Sequence, residues 1–114
     1  MRSVRFDIYL PIYYNERDAA GNRIEVEKAK LLDTFKELRN RFGGISAEEH
    51  RIIGSWLDDA GIVNDDENTV YHIVCDLTRE NMQWLSNYQD LLTDRFRQKE
   101  IFMYYIHVYR LKSH

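Results

Sequence analysis

Apolar and polar side chains alternate through the start of the chain, from Val4 to Tyr14. One side of an extended segment there would carry only apolar or aromatic residues: Val4, Phe6, Ile8, Leu10, Ile12 and Tyr14. A period of two residues over this length predicts a β-strand. Pro11 cannot donate a hydrogen bond to a neighbouring strand, so we expect this end to be frayed, bulged or at a sheet edge. The polar stretch "NERDAAGNR" that follows is typical of a turn.

Two later segments carry apolar side chains at the spacing of an α-helix. The first covers residues 25–42, and its apolar stripe comprises Leu31, Phe35, Leu38 and Phe42. Gly43 follows directly and is expected to end this helix in the left-handed conformation. The second covers residues 79–96, with Thr78 as the predicted N-cap. Its stripe comprises Met82, Leu85, Gln89, Leu92 and Phe96.

Three further segments are rich in strand-forming residues, and they cover residues 52–57, 69–77 and 101–111. Ser46 and Glu49 have the spacing of a capping box, which predicts a short helical turn before the second strand. Between the second and third strands lies an acidic stretch that contains the turn residues Gly61 and Asn64. We therefore expect these two strands to form a hairpin with an acidic loop.

The predicted order of elements is β-α-β-β-α-β, in a single α+β domain over residues 1–114. This order is typical of the ferredoxin-like fold, a sandwich in which a four-stranded antiparallel sheet carries two helices on one face. The sequence "LRNRF" at the end of the first helix is echoed by "LTDRF" at the end of the second, which favours two related halves. Another α+β meander with a different strand order is the alternative.

The helix-free face of such a sheet can be predicted from the alternation within each strand. If the more apolar row of each strand faces the helices, the opposite face is rich in aromatic side chains. Its predicted members are Tyr9, Tyr13, Val70, His72, Val74, Met103, Tyr105, His107 and Tyr109. An exposed patch this apolar usually marks a protein interface or a ligand groove. We therefore expect a homodimer that associates through this face, with another protein partner or a small ligand as alternatives.

The overall composition is that of one globular domain, with 114 residues of which 44% are hydrophobic. A formal net charge of −3 and interspersed basic residues argue against binding to nucleic acid. No apolar run approaches the length of a membrane span, and the N-terminal apolar run is too short for a signal peptide. Cys75 is the only cysteine, so no disulfide within the chain is expected. We expect a cytoplasmic protein that does not associate with membranes.

Four side chains could form a proton-transfer site if the sheet brings them together: Asp7, His72, Asp76 and His107. The first, third and fourth strands are neighbours in the ferredoxin-like order, so such convergence is geometrically allowed. A histidine beside a carboxylate can act as a general base, with the carboxylate fixing its tautomer. The alternative is that both histidines are ordinary hydrogen-bonded residues in a polar and aromatic interface.

The acidic stretch contains a second candidate site, because Asp65, Asp66 and Glu67 are adjacent and could bind a hard cation. The spacing of a calcium-binding loop is absent, so an exposed hairpin loop without metal is the preferred interpretation. Cys75, in the middle of a predicted strand, is interpreted as a small buried residue. No sequence motif predicts a cofactor.

Four short segments are spread over most of the chain: "FDIYLPIYY", "RFGGIS", "GSW" and "RFRQKEI". In these segments the chain resembles a group of small bacterial proteins of unknown function. The resemblance implies no activity and no site residues. It adds only the expectation that "FGG" and "GSW" mark boundaries between structural elements.

The sequence leaves three functions open. The preferred one is a small self-associating binding or regulatory protein. The alternative is a small-molecule enzyme of the dimeric ferredoxin-like type, with His72 or His107 as general base. The third is a nucleic-acid-binding module, because Tyr9 and Tyr105 resemble the sheet aromatics on which RNA-recognition modules stack bases.

Overall fold

The computed structural model describes residues 2–48 and 51–111. Within these residues the chain is an α+β protein with two helices and antiparallel strands. The helices are α1 (Lys28–Phe42) and α2 (Arg79–Arg95). The strands are β1 (Ser3–Pro11), β2 (Tyr13–Arg17), β3 (Arg23–Glu25), β4 (Ser46–Ala47), β5 (Ile52–Leu57), β6 (Val63–Asp76) and β7 (Met103–Val108). Neither helix is long and apolar enough to cross a membrane.

Five strands form the main sheet, in which every neighbouring pair is antiparallel. β1 and β6 lie side by side in its centre, β7 pairs with the other edge of β1, and β4 and β5 pair with β6. With β4 and β5 taken together, this order is consistent with a ferredoxin-like α+β fold. The predicted count of four strands is wrong, because β4 forms where a helical turn was expected. Glu49, the second residue of the predicted capping box, lies outside the described residues.

β2 and β3 form a second, two-stranded sheet, which the sequence analysis does not predict. Its turn falls inside the "NERDAAGNR" stretch, where Asp18 Oδ1 accepts hydrogen bonds from the backbone N–H groups of Ala20 and Asn22 at 3.0 and 2.8 Å. Gly21 has a φ of +83°, a conformation that favours glycine. Residues 15–17 of β2 are polar and exposed, so their sequence carries no alternation that would indicate a strand.

β5 and the first part of β6 form a long hairpin, called the arm below (residues 52–68). Its turn is closed by Asp58, whose Oδ1 accepts hydrogen bonds from the backbone N–H groups two and four residues later, each at 2.9 Å. Asp65, Asp66 and Glu67 lie within β6 and not in the turn, so the prediction that they form a loop is wrong. The molecule measures 58 × 31 × 26 Å along its principal axes, so it is elongated.

Both predicted helix caps are present in the structure. Gly43 has a φ of 84°, and its N–H donates to the carbonyl oxygen of Arg39 at 2.7 Å. The Thr78 hydroxyl accepts a hydrogen bond from the backbone N–H of Asn81 at 3.1 Å. α1 begins at Lys28, later than the predicted start, and no side chain caps that end. The caps therefore define the end of α1 and the start of α2, as the sequence predicts.

Both helices pack on one face of the main sheet, where their apolar stripes meet β1 and β6. The side chains that are 0 or 1% exposed in this core are Val4, Ile8, Leu10, Leu38, Ile73, Leu85, Leu92, Phe96 and Ile101. Cys75 is also buried in the core, and burial raises the pKa of its thiol. This environment keeps the thiol protonated and agrees with the predicted structural role.

A hydrogen-bonded ion pair joins the two helices. Arg95 donates two hydrogen bonds to the carboxylate of Glu37, at 2.6 and 2.9 Å, and a third to Thr34 Oγ1 at 2.8 Å. The Tyr88 hydroxyl donates to the same carboxylate at 2.8 Å. The Arg95 guanidinium holds the pKa of Glu37 below its usual value. This pair therefore links the orientation of α1 to that of α2.

We expect Arg95→Met to lower the free energy of unfolding by about 1–2 kcal/mol, because it removes the charged partner of Glu37, whose side chain is 42% exposed and is partly screened by water. The effect should depend on pH. Because the folded-state pKa of Glu37 is lowered, the pair stabilises the protein above the unfolded-state pKa, and this contribution is lost as the pH falls through the folded-state value. Urea unfolding should therefore separate the variant from the wild type widely at neutral pH and less in acid.

Arg97→Met is the matched control for this prediction. The Arg97 side chain is 58% exposed, and its ion pair with Glu16 lies at the surface. Surface ion pairs contribute about 0–1 kcal/mol, so this variant should unfold close to the wild type. Equal losses of unfolding free energy in the two variants would show that the pair between Arg95 and Glu37 stabilises the protein no more than a surface ion pair does.

Candidate functional site

The main sheet has one face free of helices, called the open face below. Residues that lie opposite each other on paired antiparallel strands have their side chains on the same side of the sheet. Val4 and Ile8 pack against the helices, so the intervening Asp7 lies on the open face. Asp7 is opposite His72 in β6 and opposite Tyr104 in β7. These three side chains therefore share the open face.

Asp7 is a buried carboxylate, with 2% of its surface exposed. Arg5, on the same row of β1, donates from Nε to Asp7 Oδ1 at 2.8 Å and from Nη2 to Oδ2 at 3.1 Å. The Nδ1 atom of His72 lies 2.7 Å from Asp7 Oδ1. A buried charge needs such partners, because burying it alone is strongly unfavourable. Asp7 is therefore held between a guanidinium and an imidazole.

His72 meets another carboxylate at its second ring nitrogen, because its Nε2 lies 2.8 Å from Glu48 Oε1. β4 brings Glu48 to this position: Ser46 is opposite His72, and the backbone N–H of Glu48 donates to the carbonyl oxygen of Val70 at 2.9 Å. The side chains of His72, Glu48 and Asp7 are 20, 45 and 3% exposed. The Glu48 side of the ring is thus the side that solvent and ligands can reach.

Burial and hydrogen bonding act on this site in opposite directions. Burial would raise the pKa of Asp7, but hydrogen bonds from Arg5 and the open-face neighbours outweigh it, and the pKa is lowered. Burial would lower the pKa of His72, but hydrogen bonds to Glu48 and Asp7 outweigh it, and the pKa is raised. Because each ring nitrogen lies next to a carboxylate oxygen, this arrangement favours the imidazolium form, in which both nitrogens donate hydrogen bonds.

Three aromatic rings lie beside this centre, and they are called the aromatic cluster below: Tyr9, Phe102 and Tyr104. Tyr9 follows Asp7 on the same row of β1, and its backbone N–H donates to the carbonyl oxygen of Phe102 at 3.0 Å. The ring centroids lie 5.2, 5.5 and 6.1 Å apart. Phe102 is 61% exposed and Tyr104 is 37% exposed, so the cluster presents ring surface to solvent.

A groove lies at the other end of the open face, beyond Arg5, and is called the arginine groove below. Its lining includes Arg5, His72, Val74, Val108 and Arg110. Val74 is opposite Arg5 in the pairing of β1 with β6, which places both on the open face. The groove therefore combines two guanidinium groups with apolar valine side chains.

Met103, Tyr105 and His107 do not lie on the open face, and their predicted position is wrong. Their partners in β1 face the helices: Ile8 is opposite Met103, Phe6 opposite Tyr105 and Val4 opposite His107. Both rows of β7 consist of apolar and aromatic residues apart from the histidine, so alternation could not distinguish them. The row of β7 that lies on the open face includes Tyr104 and Ile106 instead.

The remaining sequence-predicted site residues are dispersed over the structure. Asp76 is exposed at the end of β6. It lies two residues after Val74 and on the same side of the sheet, the open face. Tyr13 belongs to β2, outside the main sheet, and Tyr109 follows β7 with 96% of its surface exposed. Of the four candidate proton-transfer residues, the structure therefore brings together Asp7 and His72.

The open-face residues that are absent from the sequence-based candidates include Arg5, Glu48, Phe102, Tyr104 and Arg110. The sequence could have indicated Arg5 as a partner of Asp7, because Arg5 lies two residues before Asp7 and therefore on the same side of the strand. Glu48 carries none, because the spacing of Ser46 and Glu49 favours a helical turn at that point. Tyr104 lies on the row of β7 that the sequence pattern assigns to the core.

The acidic residues of the arm do not form a joint site. Asp65, Asp66 and Glu67 alternate between the two sides of β6, and Glu67 pairs with Arg51 at 3.1 Å and with Arg23 at 3.5 Å. Within residues 2–48 and 51–111, no group of three or more His, Cys, Asp or Glu side chains could hold a metal ion.

No protein-family model and no curated protein sequence matches the chain. Among solved structures, a phage SAM lyase in the apo state is similar, with a TM-score of 0.57 and 15% identity over 93% of this chain and 79% of that chain. A phage SAM lyase in complex with S-methyl-5′-thioadenosine is also similar, with a TM-score of 0.54 and 14% identity over 93% of this chain and 80% of that chain. At these identities the likeness concerns the fold alone, and it agrees with the α+β architecture.

Proposed function

We propose that the open face binds a small organic molecule and that His72 transfers a proton to or from it. The observation that carries this proposal is the position of His72 between Asp7 and Glu48, with Asp7 in turn held by Arg5. A histidine oriented through one nitrogen by a buried carboxylate is a common arrangement in acid–base catalysis. This proposal is the enzyme alternative of the sequence analysis, with His72 in the role.

The two carboxylates would have different tasks. The Asp7 side chain is 3% exposed and bound twice by Arg5, so it fixes Nδ1 and the orientation of the ring. The Glu48 side chain is 45% exposed, so its carboxylate can turn into water at little cost. The reactive atom is therefore Nε2 of His72, and a bound molecule would take the place of the Glu48 carboxylate.

Displacement of Glu48 would also change the proton affinity of His72. With both carboxylates in place, the pKa of His72 is raised, which favours the protonated ring with both nitrogens as donors. The hydrogen bond to Glu48 is the largest of the contributions that raise this pKa, so its loss would lower the pKa towards the ordinary value. The ring could then release its proton and accept one from the substrate, as a general base must.

S-adenosylmethionine (SAM), the compound for which the similar phage lyases are named, is the first substrate to test. It joins a purine nucleoside to an amino-acid carboxylate through a sulfonium sulfur. When a carbon–sulfur bond of a sulfonium breaks in a lyase reaction, the bonding electrons stay on sulfur and leave a neutral thioether. If the carbon fragment forms a double bond, a base must accept one proton, and Nε2 of His72 would be that base.

The proposal is tested by incubating the purified protein with SAM and following S-methyl-5′-thioadenosine by chromatography. We expect this thioether to form faster than in the absence of protein, and we expect it to bind in a calorimetric titration. Protein that neither binds the two compounds nor accelerates the reaction would contradict the proposed ligand class.

Self-association is a second proposal, and it is favoured by apolar side chains on the arm. Ile53, Leu57 and Val63 lie on one side of the arm and are 75, 67 and 60% exposed. The arm also contains five acidic residues and no basic residue, whereas the arginine groove is basic. Apolar surface joined to complementary charge is typical of an interface. The arm of one copy would therefore contact the open face of another, where its carboxylates would compete with an acidic ligand for the arginine groove.

Leu57→Ser should weaken this self-association by about 10- to 100-fold, the effect of losing one buried leucine from an interface. Light scattering should give a mass above the 13.8 kDa monomer for the wild type and a mass near the monomer for the variant. Leu91→Ser is the matched control, because Leu91 is an exposed leucine on α2. A monomeric wild type at every concentration would rule out the proposed contact.

A further inference from the structure

We propose that the open face binds its ligand in one direction, with a planar ring on the aromatic cluster and a carboxylate in the arginine groove. This inference rests on the proposed function, because it assumes that the open face holds a small molecule at His72. It adds which end of that molecule each part of the face recognises, and therefore which class of molecule fits.

The aromatic cluster is suited to a planar ring. Its members are packed against each other at centroid distances of 5.2–6.1 Å, so the rings support one another and lose little freedom on binding. Phe102 has no polar atom that would profit from water, yet 61% of its surface is exposed. Stacking of a base on an exposed aromatic side chain is a common source of affinity for nucleosides. A purine or a similar heterocycle therefore fits this end.

The arginine groove is suited to a carboxylate. Two of the five N–H donors of Arg5 bond to Asp7, which leaves other donors of that guanidinium for a ligand. Arg110 is exposed on the lining of the same groove. Arginine is well matched to carboxylates because its planar donors can bond both oxygens. Val74 and Val108 supply apolar contact for the aliphatic part that carries the acid.

The distance between the two ends sets the length of the ligand. Arg5 and Tyr9 lie on the same row of β1 and are four residues apart, which corresponds to about 13 Å along a strand. Asp7, with His72 opposite it, lies midway. A nucleoside extended by an amino-acid chain spans this length, with its linking atoms over His72. A nucleoside without that chain reaches only the aromatic cluster.

The orientation is tested by calorimetric titration of SAM, which has both ends, and of S-methyl-5′-thioadenosine, which lacks the carboxylate. Phe102→Ala should weaken binding of both compounds by about 5- to 100-fold, the usual contribution of one stacking contact. Arg110→Gln should weaken binding of SAM by about 10-fold, the usual loss of a charge-assisted hydrogen bond, and should leave the thioether within about twofold. Circular dichroism should show that both variants remain folded, since both side chains are exposed.

Tyr109→Ala and Arg97→Gln are the matched controls, because they remove an exposed ring and an exposed guanidinium outside the proposed site. Both controls should bind the two compounds as the wild type does. If Arg110→Gln affects the two compounds equally, or Phe102→Ala affects neither, the proposed orientation is overturned while binding at the open face stands. A wild type that binds neither compound overturns the ligand class itself.

Discussion

If the chain cleaves SAM as proposed, replacement of His72 by glutamine should slow that reaction by about 10²- to 10⁴-fold, the range that one acid–base group contributes. Glutamine is close in size, and its amide N–H groups can still donate to one of the two carboxylates, Asp7 or Glu48, so most of the shape of the site is retained. It cannot take up a proton, so the transfer step alone is lost. Steady-state kinetics should therefore show a fall in kcat with little change in KM.

His107→Gln is the control for this experiment, because His107 lies on the other side of the main sheet, opposite Val4. Its turnover should stay within about twofold of the wild type, since surface substitutions away from a site have small effects. Full activity of His72→Gln would refute its role in proton transfer. A loss of activity in His107→Gln that equals that of His72→Gln would point to a general effect of removing a histidine.

Phe96→Ala should cause the largest loss of stability among simple truncations, about 3–5 kcal/mol. Phe96 is the C-cap residue of α2, is fully buried, and packs in the core with Leu92 and Ile101. Removing its ring would leave a cavity that closely packed neighbours can fill only in part. Urea unfolding followed by tryptophan fluorescence measures this loss.

Phe102→Ala is the matched control, since it removes the same ring from a site that is 61% exposed. We expect its free energy of unfolding to change by less than about 0.5 kcal/mol. The contrast separates the two roles of phenylalanine in this chain, one in the core and one on the open face. Comparable losses in the two variants would mean that the aromatic cluster belongs to the folded core.

The α+β class and the two helices could be predicted because their signals are local. Apolar residues repeat at helical spacing over both helices, and the predicted caps Gly43 and Thr78 are confirmed. The second predicted strand has the same bounds as β5, Ile52–Leu57. A class of fold follows from such local periodicities, whereas strand count and pairing depend on contacts distant in sequence.

The hairpin between the second and third strands is predicted, but its extension through the acidic stretch is not, and neither is the small sheet of β2 and β3. No residue of the arm is fully buried, so no core selects one row of apolar residues there. Aspartate is uncommon in strands, so Asp65 and Asp66 give no local signal for one. They belong to a strand through their pairing with β5. β2 is mostly polar and exposed, and its pairing with β3 is likewise set by a partner strand.

The candidate site was predictable in part. Alternation in β1 and β6 placed Asp7 and His72 on the same face, and the pairing of these strands makes them neighbours. For His107 in β7 the predicted face was wrong. Both rows of β7 are largely apolar, so alternation cannot tell them apart, and a shift of one residue exchanges the faces. Glu48 reaches His72 through β4, which is two residues long and has no pattern of its own.

A histidine titration by NMR measures whether buried Asp7 holds His72 as an oriented imidazolium on the open face. In the wild type, the pKa of His72 should lie above 6.5, the ordinary value. In Asp7→Asn it should fall, because an amide replaces a carboxylate 2.7 Å from Nδ1. His107→Gln should leave the His72 titration unchanged. If His72 titrates at the ordinary value in the wild type and its pKa does not change in Asp7→Asn, then Asp7 does not hold His72 as an imidazolium.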